Sequence, residues 1–511
     1  MRPTAPSLTA DEIAARVPDG ATVALAASGI FLEPDAILAA LERRFLQTGH
    51  PCGLTVIHAL GIGDGAGSGL GRLAHEGMVR RVIGGHWSWS PAMQALAAEN
   101  LVEAYTLPGG VIALLLREIG AGRPGLITRI GLDTFADPRR GGGRANAAAT
   151  GDLVELIDLD GREWLRYRPL PVDVAIIRAS AADPAGNLTL RDEPCNLDVL
   201  AAAMAARASG GQVLAQVRRR LDGPIRPARL AQVPGVLVDA LHLAPEARDT
   251  YLPAHDPRVT GAAPPPDAGE EDAASPEAPA GPALLRHIIA ARALREIPDE
   301  NARRASVNFG FGIPGGIPAL AAAAGVRYWG SVEQGIHNGA LFDGPMFGAA
   351  RDAEAILPSP DQFDFYSGGG IDIAFLGMGE MDGAGNVNVS RMGGRLVGPG
   401  GFVDITQTAR TVVFCGAFEA KGLELARDAE GRLSIVTPGQ IPKLVAEVGH
   451  VTFSGPQARR NGQRVLYITE RAVFRLGAET GVELVELMPG IDLQRDVLGR
   501  MRFVPVVALG G

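Results

Sequence analysis

The apolar residues of this chain follow two alternating periods. Short unbroken runs, Thr22–Ala27 (TVALAA), Leu54–Leu60, Val79–Gly85 (VRRVIGG), Val172–Ile177 (VDVAII) and Gln212–Val217, have the length of buried strands. Between the first two, Ile37, Leu38, Leu41 and Phe45 recur at helical spacing, and Pro34 or Asp35 opens that helix. Continuous apolar strands separated by helical stretches predict a mostly parallel sheet covered on both faces, and so an α/β fold. The stretch GIGDGAGSGLG after Leu60 reads either as backbone shaped around a ligand or as a flexible loop. The aromatic cluster His86-Trp87-Ser88-Trp89 reads as pocket wall or as core.

The periodicity stops at His255. From there to Pro282 the chain is rich in Pro, Ala and acid, and a segment of that kind buries too little surface to offset its ordering entropy. The sequence therefore predicts an N-terminal half over 1–254, a mobile linker over 255–283 and a C-terminal half over 284–511. The second half repeats the first. VDVAIIRASAADPAGNLTL around Asp173 aligns without a gap on IDIAFLGMGEMDGAGNVNV around Asp372, at a shift of 199 residues. Asp183, Gly186 and Asn187 fall on Asp382, Gly385 and Asn386, a D-x-x-G-N turn between two strands. Two such units predict a duplicated α/β domain, with the site where the halves meet.

Composition narrows the class. With 46% hydrophobic and 21% charged residues the chain is an ordinary globular protein, and at 511 residues it is too long for one core. A net charge of −9 argues against a nucleic-acid partner. Cys52, Cys195 and Cys415 are odd in number, far apart and without metal-type spacing, which fits reduced thiols in the cytoplasm. No secretory leader and no membrane-length apolar run is visible. Arginine carries nearly all the positive charge. The only lysines, Lys421 and Lys443, mark places where a compact ammonium could be required.

The candidate chemistry lies in Ser331–Gly339 (SVEQGIHNG). Glu333 closes a short apolar run and precedes two glycines, Gly335 and Gly339; by the 199-residue offset its counterpart is Thr134, so the duplication has one acid. A strand-end acid in a glycine-lined loop lies where α/β proteins place ligands, although such a glutamate can equally point into water. Upstream, Gly310-Phe311-Gly312-Ile313-Pro314-Gly315 fits G-x-G-x-x-G, with Glu333 about twenty residues on, as in a dinucleotide site. Against an NAD site stand Pro314, which stiffens the loop, and the long glycine-rich loop beyond Glu333.

Together these stretches resemble the class I CoA-transferases, specifically the fused single-chain acetate/propionate type. The resemblance rests on HEGMVRRVIGGHW, LPGG, IGLDTFADPRRGGG and GGQVLAQV in the first half. In the second it rests on QFDFYSGGGIDIAFLG, GNVNVSR, GPGGFVDITQ, VVFCGAF, YITERAVFRL and PGIDLQRDVL. It implies two open α/β domains like those of sugar-phosphate isomerases, a homo-oligomer (dimer or tetramer), and acyl-CoA and small carboxylic acids as partners. It implies further that Glu333, in Val332-Glu333-Gln334-Gly335, is the nucleophile of a ping-pong transfer through a glutamyl-CoA thioester. The Gly398-Pro399-Gly400-Gly401-Phe402 loop would line the site, with the amides of Gly400 and Gly401 as oxyanion donors. Gly312, Gly335, His337, Asn338, Gly398, Phe402 and Lys421 would contact CoA or substrate. Coenzyme A is then a substrate, and the reaction calls for no metal or redox cofactor. An acyl-CoA hydrolase or an isomerase on the same scaffold are the alternatives. Two departures bear on the acyl group: Ala26-Ala27-Ser28 in the first loop, and His337-Asn338 where small glycines are usual. The latter predict a preference for an acyl group with a polar function, unless His337 only braces its loop.

Overall fold

The computed structural model describes residues 5–263, 281–298 and 305–510. These fall into two compact units that do not follow chain order. The first comprises 1–264, 333–365 and 393–404; the second comprises 265–332, 366–392 and 405–511. Most of the stretch read as a linker, 264–280, lies outside the described residues. Its first residues are held: Asp256 accepts from Arg351 Nε at 2.9 Å, Arg258 Nε donates to Asp352 at 2.9 Å, and the Asp352 amide donates to the Arg258 carbonyl at 2.9 Å.

The first unit is built on strands β1 (Thr22–Leu25), β2 (Leu54–His58), β3 (Val79–Gly84), β4 (Glu103–Thr106), β5 (Val174–Ala182), β6 (Gln212–Arg220) and β7 (Ala240–Leu243). Their order across the sheet is β7-β6-β5-β1-β2-β3-β4, every pair parallel. All of β2 and β5 is buried, as expected for strands with a helical layer on each face. Helix α1 (Asp35–Thr48) buries Ile37, Leu38 and Leu41 against β1 and β2 in a core that includes Val23, Leu25, Val56 and Trp87. Helix α2 (Gly109–Gly120) is apolar nearly all round and buried accordingly. Its neighbour is α3 (Val199–Ala208), whose alanines allow close approach.

In the second unit the sheet runs Trp329–Ser331, Ser306–Phe309, Ile373–Gly377, Thr411–Cys415 and Arg464–Ile468, all parallel. Ala472–Leu476 and Val482–Leu487 extend it antiparallel. The duplication predicted from the repeat is present atom by atom. Asp183 Oδ1 accepts from the amides of Ala185 and Asn187 at 2.9 Å each, and Asp382 Oδ1 accepts from Ala384 and Asn386 at 3.0 and 3.1 Å. Asn187 then receives the Gly235 amide at 2.8 Å as Asn386 receives that of Gly455 at 3.1 Å. Upstream, Asp173 caps the start of β1 through the Thr22 amide (2.8 Å), as Asp372 does for Ser306–Phe309 through the Ser306 amide (2.9 Å). Gly310–Gly315 forms no extended phosphate loop here; it closes into a single 3-10 turn, Ile313–Gly316, followed by the short helix Ile317–Ala323. Among the described residues no helix is long and apolar enough to cross a membrane.

Candidate functional site

Glu333 is half-buried and hydrogen-bonded. Its chain enters the first unit just past the strand Trp329–Ser331, and its carboxylate is met by the glycine loop: the Gly401 amide donates to Oε2 at 2.6 Å. A Cβ on Gly401 would stand 2.3 Å from Oε2 and 2.9 Å from the Phe363 ring, so only glycine lets this backbone reach the acid. A Cβ on Gly400 would stand 3.4 Å from Oε1 and 3.6 Å from Oε2, so this backbone also lies close to the acid. Burial pushes the Glu333 carboxyl up to about 7, and the Gly401 hydrogen bond opposes that only in part.

The loop is anchored from the other half of the sequence. The Gly400 amide donates to the carbonyl of Gly85, just past β3, at 2.8 Å, and the Trp87 amide donates to the Val397 carbonyl at 2.8 Å. At the start of α2, the Gly109 amide donates to the Gly400 carbonyl at 2.7 Å and the Gly110 amide to Asp404 Oδ2 at 3.1 Å. A Cβ on Gly110 would lie 2.4 Å from the Phe363 ring and 2.5 Å from Asp404 Oδ1. Phe363 is held in turn on the helix Ser359–Ser367, where Arg117 of α2 pairs with Asp364 at 2.6 Å. Ser28, from the loop after β1, meets the Gln334 side chain at 3.5 Å, the outer limit of a hydrogen bond. The site thus draws on both sequence halves and lies within one compact unit.

Several expectations change. Gly400 was expected to offer an oxyanion donor, but its single N–H is already committed to the Gly85 carbonyl; Gly401 alone of the pair faces the carboxylate. His337 is buried, its Nε2 2.7 Å from Gln362 Oε1 and its ring 5.9 Å from that of Phe365. Burial lowers its basicity, and the Gln362 contact braces the helix Ser359–Ser367. Of the two readings of His337, the bracing one fits this geometry. Asn338 follows in left-handed conformation, φ 54°. Gly335 (φ 90°) lies against the Leu357 backbone, whose amide it receives at 2.8 Å, and Gly398 (φ 79°) lies against Gly85 and His86. Phe402 is buried at the start of its helix. Gly312 and Lys421 belong to the second unit; Lys421 is exposed, whereas Lys443 is half-buried with Nζ 2.8 Å from the Met378 carbonyl. Gly85, Gly109, Gly110, Phe363 and Asp404 went unassigned in the sequence, although GGHW, LPGG and GPGGFVD stood out as stretches. Elsewhere Asp19, His50 and Cys52 place one ligand atom each within 4.8 Å of one another at the surface, with Asp19 occupied by His50 Nδ1 (2.7 Å) and the Cys52 amide (2.9 Å).

Residues 7–244 match the family described as Coenzyme A transferase. Over the whole length the chain is 38% identical to acetate CoA-transferase YdiF of Escherichia coli O157:H7, covering 98% of this chain and 93% of that one. It is 39% identical to caffeate CoA-transferase of Acetobacterium woodii, covering 98% and 95%. Crystal structures of the E. coli O157:H7 acyl-CoA transferase YdiF superpose on it over 99% of this chain and 94% of theirs. The apoenzyme gives a TM-score of 0.91 at 37% identity, and a thioester complex with CoA gives 0.89 at 36%.

Proposed function

Because this chain belongs to the coenzyme A transferase family, moving CoA between an acyl-CoA and a carboxylic acid, we propose that Glu333 carries the CoA as a glutamyl thioester between the two half-reactions. The observation that supports this most is the Gly401 amide on Glu333 Oε2 inside a wall of glycines and Phe363. A carboxylate is the fitting nucleophile for this exchange, since it is itself an acid able to accept CoA. The related YdiF was crystallised as a thioester complex with CoA.

Glu333 Oε1 attacks the thioester carbonyl of the acyl-CoA, and the tetrahedral adduct expels the CoA thiolate, leaving an acyl–glutamyl anhydride. The thiolate adds to the glutamyl carbonyl carbon and the acyl carboxylate leaves with Oε1, giving glutamyl-CoA. An incoming carboxylate reverses both steps. In every addition to the glutamyl carbon the negative charge develops on Oε2, where the Gly401 N–H already points. Removing a donor of that kind costs about 3–4 kcal/mol of barrier. Partial burial serves the same end, because it raises the energy of the ionised acid.

The substrates we propose are a short-chain acyl-CoA and an acid such as acetate, CoA being a substrate and not a resident cofactor. We propose further a cytoplasmic homo-oligomer; the free Cys52, Cys195 and Cys415 accord with a reducing compartment. The test is product analysis. Acyl-CoA with labelled acetate should yield labelled acetyl-CoA with parallel double-reciprocal lines. Release of free CoA at an undiminished rate without any acid would mark a hydrolase and refute the reading.

A further inference from the structure

We propose that Asp19, His50 and Cys52 form a binding site for a thiophilic divalent cation of the zinc type, which ties two turns of the first unit together. The three residues offer a carboxylate oxygen, an imidazole nitrogen and a sulfur that all lie within 4.8 Å of one another. They come from two separate turns, one ahead of β1 and one ahead of β2, and the backbone already holds those turns side by side. The Gly20 amide donates to the Cys52 carbonyl at 2.8 Å, and the Cys52 amide donates to Asp19 Oδ1 at 2.9 Å. Just beyond, the Gly53 amide donates to the Gly77 carbonyl at 2.8 Å, so the cysteine is presented from an anchored strand end.

The donor set selects the metal. Oxygen donors alone would suit magnesium or calcium, whereas a thiolate beside an imidazole favours zinc and its neighbours in the first transition row. Zinc bonds sulfur at ~2.3 Å and nitrogen or oxygen at ~2.0–2.2 Å, which sets donor-to-donor separations of about 3.3–3.8 Å in a tetrahedron. Three atoms within 4.8 Å of one another need shifts of about 1 Å to reach it. His50 Nδ1 stands 2.7 Å from Asp19 Oδ2, closer than two donors on one metal. Their side chains are 54% and 45% exposed, so that pair can open without disturbing the core. Asp19 has acceptor capacity to spare, since a carboxylate has about four lone-pair sites and two are engaged. On binding, the Cys52 thiol gives its proton to solvent and the sulfur takes the metal, with water in the fourth position. Cys195 and Cys415 are buried, which leaves Cys52 as the accessible thiol. The site lies at the N-terminal ends of β1 and β2, whereas Ser28 and Gly85 follow the opposite ends of β1 and β3. The cation therefore braces the fold and takes no part in CoA transfer.

The test is titration of the full chain with cobalt(II), whose thiolate complexes absorb in the near ultraviolet. The wild type should develop that band to saturation at one equivalent per chain, and zinc should displace it. Cys52→Ser should abolish the band. His50→Ala and Asp19→Asn should each weaken binding by about tenfold or more, since losing even an outer partner of a metal ligand costs about that much. Zinc should raise the thermal midpoint of the wild type and leave that of Cys52→Ser unchanged. A band that survives Cys52→Ser, no band at ~1 mM cobalt, or an equal zinc shift in the two proteins would overturn the inference. So would His50→Ala and Asp19→Asn that bind cobalt as tightly as the wild type, because a lone thiol would then account for the band. Cys52→Ser should keep wild-type acyl transfer, which reports that it is folded; if it does not fold, the two variants at the exposed positions decide.

Discussion

Replacing Glu333 by Gln should make the protein more stable, and by an amount that depends on pH. The carboxyl has an ordinary value of 4.5 and is pushed by burial to about 7 in the fold. An acid raised in this way binds its proton more tightly folded than unfolded. Its cost to stability is absent below 4.5, grows as pH rises between the two values, and is complete above about 7. At ~1.36 kcal/mol for each tenfold, the full cost is about 3 kcal/mol. At pH 5 only a fraction of it is present, so the gain from Glu333→Gln should be about 2 to 3 kcal/mol larger at pH 8 than at pH 5. Ionisation of Asp404 beside Glu333 adds in the same direction. Glutamine keeps an acceptor for the Gly401 amide, and pH-independent effects of the amide cancel in the difference between the two pH values. Urea unfolding of both proteins at pH 5 and pH 8 measures it. A gain that is equal at the two pH values within about 0.5 kcal/mol would refute the buried, destabilised carboxylate on which the mechanism depends.

Three further outcomes follow from the same geometry. Since Glu333 must be ionised to attack, kcat/KM should fall tenfold per pH unit on the acid side of about pH 7; a limb near pH 4.5 would place the carboxylate in water. Gly401→Ala brings a methyl to 2.3 Å from Glu333 Oε2 and displaces the donor, so kcat should drop by ~100-fold or more while the fold survives; activity within tenfold of wild type, read by the labelled-acetate exchange, would contradict the assignment. His337→Ala should lower thermal stability through loss of the Gln362 contact, yet leave the ratio of kcat/KM between a polar and an apolar acyl-CoA of equal length within about twofold. A larger change would return His337 to the acyl pocket.

Much of the fold was legible because parallel strands buried on both faces leave an unmistakable pattern. Thr22–Leu25, Leu54–His58 and Val79–Gly84 fall inside runs that the sequence marks by apolar continuity alone. The D-x-x-G-N repeat was legible because its geometry demands those residue types: Asp183 and Asp382 each collect two amides, and Gly186 and Gly385 take φ near 81° and 82°. The site was only half legible. A motif identifies which glycines approach the acid but not which N–H groups remain available, since that depends on the Gly85 carbonyl more than three hundred residues earlier in the chain. Asp404 escaped notice for the same reason: its partner is a backbone amide at Gly110, which carries no side-chain signature. The contact of His337 with Gln362 was not legible either, because the two lie 25 residues apart with no motif joining them.

The most direct measurement is mass spectrometry of the enzyme after brief incubation with acyl-CoA in the absence of an acceptor acid. The account predicts that one peptide, that containing Glu333, gains the mass of CoA less one water, and that addition of acetate removes it with formation of acetyl-CoA. A CoA adduct on any other residue, or turnover with no adduct on Glu333 under conditions where Glu333→Gln is inactive, would contradict it.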